Sequence, residues 1–196
     1  MEITEELTMP TKPSAAKPVY IRWMIARDLS RVLEIESSAF RDPWPEEEFL
    51  QYLRNRNAIG MVAVENSGAP SERIVGYMLY ELDVKSLEIA NFAVAEDCRR
   101  QGVGRALIEK LKNKLTPQRR SAIKTLVREG NLDAQLFFKA MGFVARGMVK
   151  GAYECTDECG IAMMLRVGQE RWAHAYKNRI SEHFKCDEFP SKCENN

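Results

Sequence analysis

Long apolar runs are missing from this chain of 196 residues. None approaches the roughly 18 consecutive apolar residues that a membrane-spanning helix needs. The opening stretch, MEITEELTMPTKPSAAKP, has no apolar segment of the kind a secretory signal carries. A surplus of one charge is missing as well: 29 Lys and Arg face 28 Asp and Glu, for a formal net charge of +1. No global field then draws the chain to nucleic acid or to an anionic membrane. These absences predict a cytoplasmic protein with no nucleic-acid and no membrane partner.

Histidine is scarce, with only His174 and His183. The five cysteines, Cys98, Cys155, Cys159, Cys186 and Cys193, are odd in number and scattered, unlike a disulfide framework. Cys155 and Cys159 have no second Cys/His pair at zinc-site spacing, and His174, His183 and Cys186 make only a loose group. No metal is expected.

What is present is a core-forming composition, 45% hydrophobic. Residues 1–18, rich in Pro, Thr, Lys and Glu without a period, read as a disordered leader. VYIRWMI begins the ordered domain as a strand. Asp28 is positioned to cap a helix whose apolar stripe of Leu29, Val32, Leu33 and Phe40 is interrupted by Glu36. Pro43 and Pro45 break that helix, and Glu46, Glu47 and Glu48 suit the first turn of another. AIGMVAVE and RIVGYMLYEL form a hairpin, and LEIANFAV, apolar at nearly every position, reads as a central strand. Val103, Leu107, Leu111 and Leu115 mark a helix ending before Pro117. AIKTLV is a strand, NLDAQLFFKAMGF a helix closing near Gly142, and FVARGMV and GIAMMLRV are strands joined by KGAYECTDEC. The expected order is β-α-α-β-β-β-α-β-α-β-β, a mixed α/β domain over 19–167. In 168–196, Trp172, Tyr176, Ile180 and Phe184 recur every four residues and predict a helical extension.

The most informative stretch is DCRRQGVGRALIEKL, Asp97 to Leu111. A central strand, then Arg99-Arg100-Gln101-Gly102-Val103-Gly104-Arg105, then a helix, is a layout for holding phosphate. First-turn N–H groups lack partners, the helix dipole favours an anion, and arginine cannot lose its charge. A plain glycine turn with solvated charges explains a lone Gly-x-Gly equally well. The P-loop requires Gly-Lys-Ser/Thr, which is absent, and the dinucleotide fingerprint requires a small residue where Leu107 stands.

With its flanks, the stretch resembles the Arg/Gln-x-x-Gly-x-Gly/Ala pyrophosphate motif of the GNAT superfamily of acetyltransferases. The likeness runs from about Tyr20 to Val167. AFRDPWPEEEF, NFAVAEDCRRQGVGRALIEKL, VREGN and GAYE are similar to segments of the ribosomal-protein alanine N-acetyltransferase (RimI-like) type. The resemblance implies a GNAT fold, a mixed and mostly antiparallel sheet splayed at its central strands with flanking helices. It implies acetyl-CoA as acyl donor and, as acceptor, a protein N-terminal α-amine, with ribosomal protein S18 a possible partner. Phe92, Ala93 and Val94 match the strand that pairs with the pantetheine arm. Arg100 to Arg105 match the pyrophosphate loop, with Arg99 beside them as a further cofactor-binding candidate. Asn131 matches an asparagine that contacts CoA, and is equally placed to cap a helix.

Two positions depart from that pattern. Leu126 stands where the family carries a glutamate base, and Phe138, beside the cofactor, where it carries a tyrosine acid. An α-amine is more tolerant of a missing base than a lysine amine is, because its pKa is about 8 rather than about 10.4. Glu88 is a candidate replacement: simple alternation puts it on the face of Ala90, Phe92 and Val94, an apolar setting that raises a carboxyl pKa. A solvated strand-end glutamate is the other reading. Glu36 is a second candidate. Tyr153 matches a tyrosine bordering the peptide groove, placed to hydrogen-bond substrate, to protonate the leaving thiolate, or simply to pack on the sheet. Trp44 and Phe49 match the opposite wall. Acetylation of a small-molecule amine, and acyl-CoA binding without chemistry, remain open beside the N-terminal reading.

Overall fold

The computed structural model describes residues 18–65, 72–153 and 158–167. Eleven longer elements follow the expected order: β1 (Val19–Trp23), α1 (Leu29–Ala39), α2 (Glu46–Arg54), β2 (Ala58–Glu65), β3 (Arg73–Leu82), β4 (Ser86–Val94), α3 (Val103–Lys112), β5 (Ala122–Arg128), α4 (Leu132–Ala140), β6 (Val144–Tyr153) and β7 (Glu158–Arg166). The expected leader and C-terminal helix, with His174, His183, Cys155, Cys186 and Cys193, lie outside the described residues.

The strands form one sheet in the order β1-β2-β3-β4-β5-β7-β6. Every neighbouring pair is antiparallel except β4 and β5. β3 is buried along most of its length, as its run of β-branched and aromatic residues requires of a strand covered on both faces. One face carries α1 and α2: the Phe49 ring lies 5.8 Å from that of Tyr77. The other carries α3, whose buried residues Val103, Leu107, Ile108 and Leu111 follow helical spacing. Each of these side chains contributes about 1.5–3 kcal/mol by leaving water.

Two local expectations change. Asp28 does not cap α1 with its side chain. It closes a short 3-10 turn and is almost fully buried. Its carboxylate accepts from the Ile25 N–H at 2.8 Å and from Arg22 Nη1 and Nη2 at 2.6 and 2.9 Å. Burial alone would raise its pKa; the Arg22 guanidinium and the Ile25 N–H outweigh it and hold the carboxyl below its ordinary value. Second, β6 runs on to Tyr153, so the GAY segment is strand rather than loop.

Candidate active site

The ladder between β4 and β5 stops at Ile89 and Thr125. Beyond that point β4 stays with β3, β5 stays with β7, and the two strands part. A cavity of about 250 Å³ occupies the opening. Glu88 to Phe92 from β4, Thr125 to Arg128 from β5, and Asn131 and Phe138 line it. Glu36, Asp42, Trp44, Glu48 and Tyr153 line it as well. An unpaired strand edge of this kind can accept an extended amide-bearing arm as it would another strand.

On the α3–α4 side the site is built from backbone. Gly102, at the N-cap of α3, has φ +87°, and Arg100 two residues earlier has φ +62°. Left-handed backbone at a non-glycine residue costs on the order of 1 kcal/mol, and successive N–H groups in such turns can form a concavity for an anion. A Cβ at Gly102 would meet nothing within 4 Å, so the backbone there opens onto free space. Gly104 has the opposite reason to be glycine: a Cβ would press within 3.2 Å of both Phe92 and Phe137. Arg99, Arg100 and Arg105 are exposed around the loop. The loop is braced from behind, where Arg73 bridges Glu65 at 3.2 Å and Asp97, and Gln101 donates to the Asp97 carbonyl at 2.8 Å.

Phe92 stacks on Phe137 with centroids 5.6 Å apart, and Phe138 packs among Phe92, Phe137 and Phe143. Asn131 caps α4 by accepting from the Ala134 N–H at 3.0 Å while still lining the cavity. Ala93 is buried and Val94 half-buried. The Val94 carbonyl accepts from Arg99 Nε at 3.3 Å.

On the α1–α2 side the site is built from side chains, and a bulge decides which ones. Leu79 pairs with Asn91 but Tyr80 pairs with Ile89, leaving Ala90 as the extra residue of β4. Paired residues share a face, so the bulge breaks the alternation expected through Glu88, Ala90 and Phe92. Glu88 pairs with Glu81 and falls on the face of Leu79 and Asn91, opposite Phe92. Tyr52 of α2 registers this: burial, then the nearby Glu81 and Glu88 carboxylates, push its phenol far above the ordinary value.

Glu36, the polar break in α1, is buried beneath this face. Its Oε1 accepts from the Trp44 N–H at 2.9 Å and Asn91 Nδ2 at 3.0 Å, and its Oε2 accepts from the Tyr77 hydroxyl. One carboxylate thus ties the turn before α2 to the strand just past the bulge. Trp44 packs on Phe49 and Tyr52 at 5.6 and 5.5 Å and lines the cavity. Phe49 has no exposed surface and supports that wall from the core instead of facing the cavity.

Leu126 lines the cavity and lies over Gly160, where a Cβ would sit 2.6 Å from its Cγ. Tyr153 donates to the Leu126 carbonyl at 3.3 Å. Burial pushes the Tyr153 phenol up to about 12. The Arg128 guanidinium lies 4.1 Å over its ring.

The structure therefore gathers Glu36, Trp44, Glu88, Phe92, Asn131, Phe138 and Tyr153 around one cavity. Sequence reasoning missed Asp42, Glu48, Asn91 and Arg128. DPWPEEE, VREGN and NFAV, all already singled out, contain them, and what the bulge changes is the face of Glu88. Among the described residues no group of three His, Cys, Asp or Glu is placed to hold a metal, and no helix is long and apolar enough to cross a membrane.

A glycine turn at the start of α3, a parted strand edge and a wall lined by carboxylates fit a transferase that draws a group from a nucleotide-linked carrier. The sequence pattern of the acetyltransferase (GNAT) family matches residues 29–143, more than half of the chain, and the chain belongs to that family. It is an acetyl-CoA-dependent N-acetyltransferase. An uncharacterised N-acetyltransferase of Methanocaldococcus jannaschii is 33% identical over 135 residues, covering 68% of this chain and 83% of that one. The ribosomal protein bS18-alanine N-acetyltransferase of Escherichia coli K12 is 27% identical over 142 residues, 71% of this chain and 92% of its own. In fold, the chain is similar to the crystal structure of the Escherichia coli ribosomal-protein-S18-alanine N-acetyltransferase, with TM-score 0.66 at 24% identity, over 76% of this chain and 94% of that one. Arabidopsis thaliana NAA60 in complex with acetyl-CoA gives TM-score 0.66 at 17% identity, over 76% and 99%.

Proposed function

We propose that the acceptor is a protein N-terminal α-amine in the cytoplasm, of the ribosomal-protein alanine type, with the N-terminus of ribosomal protein S18 the first to try. The observation that carries this reading is the two-sided cavity. Its donor end is the free strand edge of β4 with Asn131 and Phe138, and the α3 loop lies outside its lining. Its other end opens between the α1–α2 turn and the end of β6, where Asp42, Glu48 and Glu88 favour a cationic amine.

The CoA pyrophosphate sits on the N–H groups of Gly102 to Arg105, and the pantetheine arm runs along Phe92 to Val94, where β4 N–H groups hold the thioester oxygen. The amine loses a proton to Glu88 through water. Its nitrogen then attacks the thioester carbon, forming the C–N bond and an oxyanion. Collapse breaks the C–S bond, the thiolate leaves with the electron pair, and the nitrogen's second proton passes through water to that thiolate, giving the free CoA thiol. Freeing an α-amine near pH 7 costs on the order of 1 kcal/mol, against about 5 kcal/mol for a lysine amine. Leu126, which offers no base, is therefore compatible with an α-amine acceptor.

Tyr153 supports this chemistry as a hydrogen-bond donor. A phenol at about 12 holds its proton more tightly than a thiol of pKa about 8.5 does, so transfer to the thiolate runs uphill. Phe138 keeps the aromatic packing without a hydroxyl.

A small polycationic amine is the second reading, favoured by the same carboxylates. Acetyl-CoA turnover across peptides differing in their first two residues, the S18 N-terminus included, separates the two. A polyamine and a peptide with a lysine but a blocked N-terminus complete the panel. The expected result is turnover of free N-termini with neither control acetylated; polyamine turnover alone would overturn the reading. Glu88→Gln should lower kcat and flatten the acidic limb of the pH–rate profile. An unchanged profile removes Glu88 from the mechanism.

A further inference from the structure

Arg128 ends β5 where the strands have parted, and its guanidinium meets three elements. Nη1 lies 2.7 Å from Glu158 Oε2 at the start of β7. Nη2 lies 3.4 Å from Asp42 Oδ2 in the turn between α1 and α2. The group is stacked 4.1 Å over the Tyr153 ring at the end of β6. Arg128, Asp42 and Tyr153 all line the cavity. One side chain therefore joins both walls of the acceptor end.

We propose that Arg128 is a positioning residue that latches the acceptor groove, holding the α1–α2 turn and the β6–β7 ends at the spacing the acceptor needs. The proposal rests on the reading that the acceptor enters between these walls. Arginine suits the task because a planar fork can reach two carboxylates while its face covers a ring; a lysine ammonium cannot do both. The Arg128, Asp42 and Glu158 side chains are 27%, 41% and 35% exposed, so the pairs are partly solvated and modest in strength. A link of that strength opens and recloses readily, so its removal should alter the groove more than the fold.

The test uses the full chain with acetyl-CoA bound and compares Arg128→Gln, Arg128→Lys, Asp42→Asn and the double Arg128→Gln, Asp42→Asn variant. Hydrogen exchange needs no acceptor. In Arg128→Gln the Trp44 and Tyr153 amides, one on each wall, should exchange faster while those of α3 do not change. With the best N-terminal peptide, Arg128→Gln should raise acceptor KM about five- to tenfold with a smaller change in kcat and no change in acetyl-CoA affinity. Arg128→Lys should fail to restore it. The double variant should be no worse than the worse single one. Unchanged exchange at either wall overturns the latch, whatever the acceptor. Equal movement of acceptor KM and acetyl-CoA affinity also overturns it. Faster exchange at both walls in a protein that turns over no N-terminal peptide upholds the latch and removes the acceptor reading instead.

Discussion

The donor and acceptor ends of the cavity are held by different kinds of matter. The donor end is made of main chain: one edge of β4 lines it, and two left-handed residues and the first turn of α3 lie beyond that lining. The acceptor end is made of side chains far apart in sequence, Glu36 with Asn91 and Asp42 with Arg128. A main-chain site tolerates few residue types, because φ and approach distance leave little but glycine. A side-chain site can be rebuilt with other pairs. The first kind suits a donor that never varies, the second an acceptor that does.

The contrast can be attacked directly. The largest expected effect is on the donor end. Gly102→Val should weaken acetyl-CoA binding more than about a hundredfold, because the open space over the N–H groups is filled and left-handed φ is unfavourable for a branched residue. Calorimetric titration measures it, and Gly102→Ala should separate the φ cost, about 1 kcal/mol of stability, from the steric block. An acceptor KM that rose with it would break the division.

Next comes Glu36→Gln. A carboxyl accepting from three groups becomes an amide that must turn an N–H toward one of them. A loss of about 1–3 kcal/mol in denaturant unfolding is expected, together with lower turnover and unchanged acetyl-CoA affinity. Gly160→Ala should cost a similar about 1–3 kcal/mol by driving a methyl into Leu126. Adding Leu126→Ala should return part of it, read from the same unfolding curves.

Tyr153→Phe should have the smallest effect. Its phenol pKa is raised, so its contribution to stability is complete below the ordinary value near 10 and lost as pH rises through about 12. The variant should match the parent's stability dependence below pH about 9 and differ only between about 10 and 12. Its pH–rate profile should keep its shape while kcat falls a few-fold. A shifted alkaline limb would restore Tyr153 as a proton donor.

The same contrast explains what the sequence discloses. The strand, loop and helix from Phe92 to Leu111 are legible because local rules, burial, glycine and helical spacing, act on neighbours. Asn131 is legible as a cap for the same reason. Glu88 is on the wrong face in a simple alternation because a bulge changes register without changing residue type. Asp28 has the composition of a cap and the position of one, yet its partner Arg22 comes from β1. Phe49 and Trp44 look alike beside the prolines, and only packing separates the buried ring from the lining one. Arg128 sits in VREGN without announcing Asp42, 86 positions earlier.

The extra residue at Ala90 acts as a phase shifter. Upstream of it β4 points odd and even side chains one way, downstream the other, so a single strand serves two chambers with opposite parity. Substitutions cannot convert one chamber's residues to the other's. Nor would deleting Ala90: it would remove the bulge yet leave Asn91 opposite Leu79 and Glu88 opposite Glu81, each on its present face.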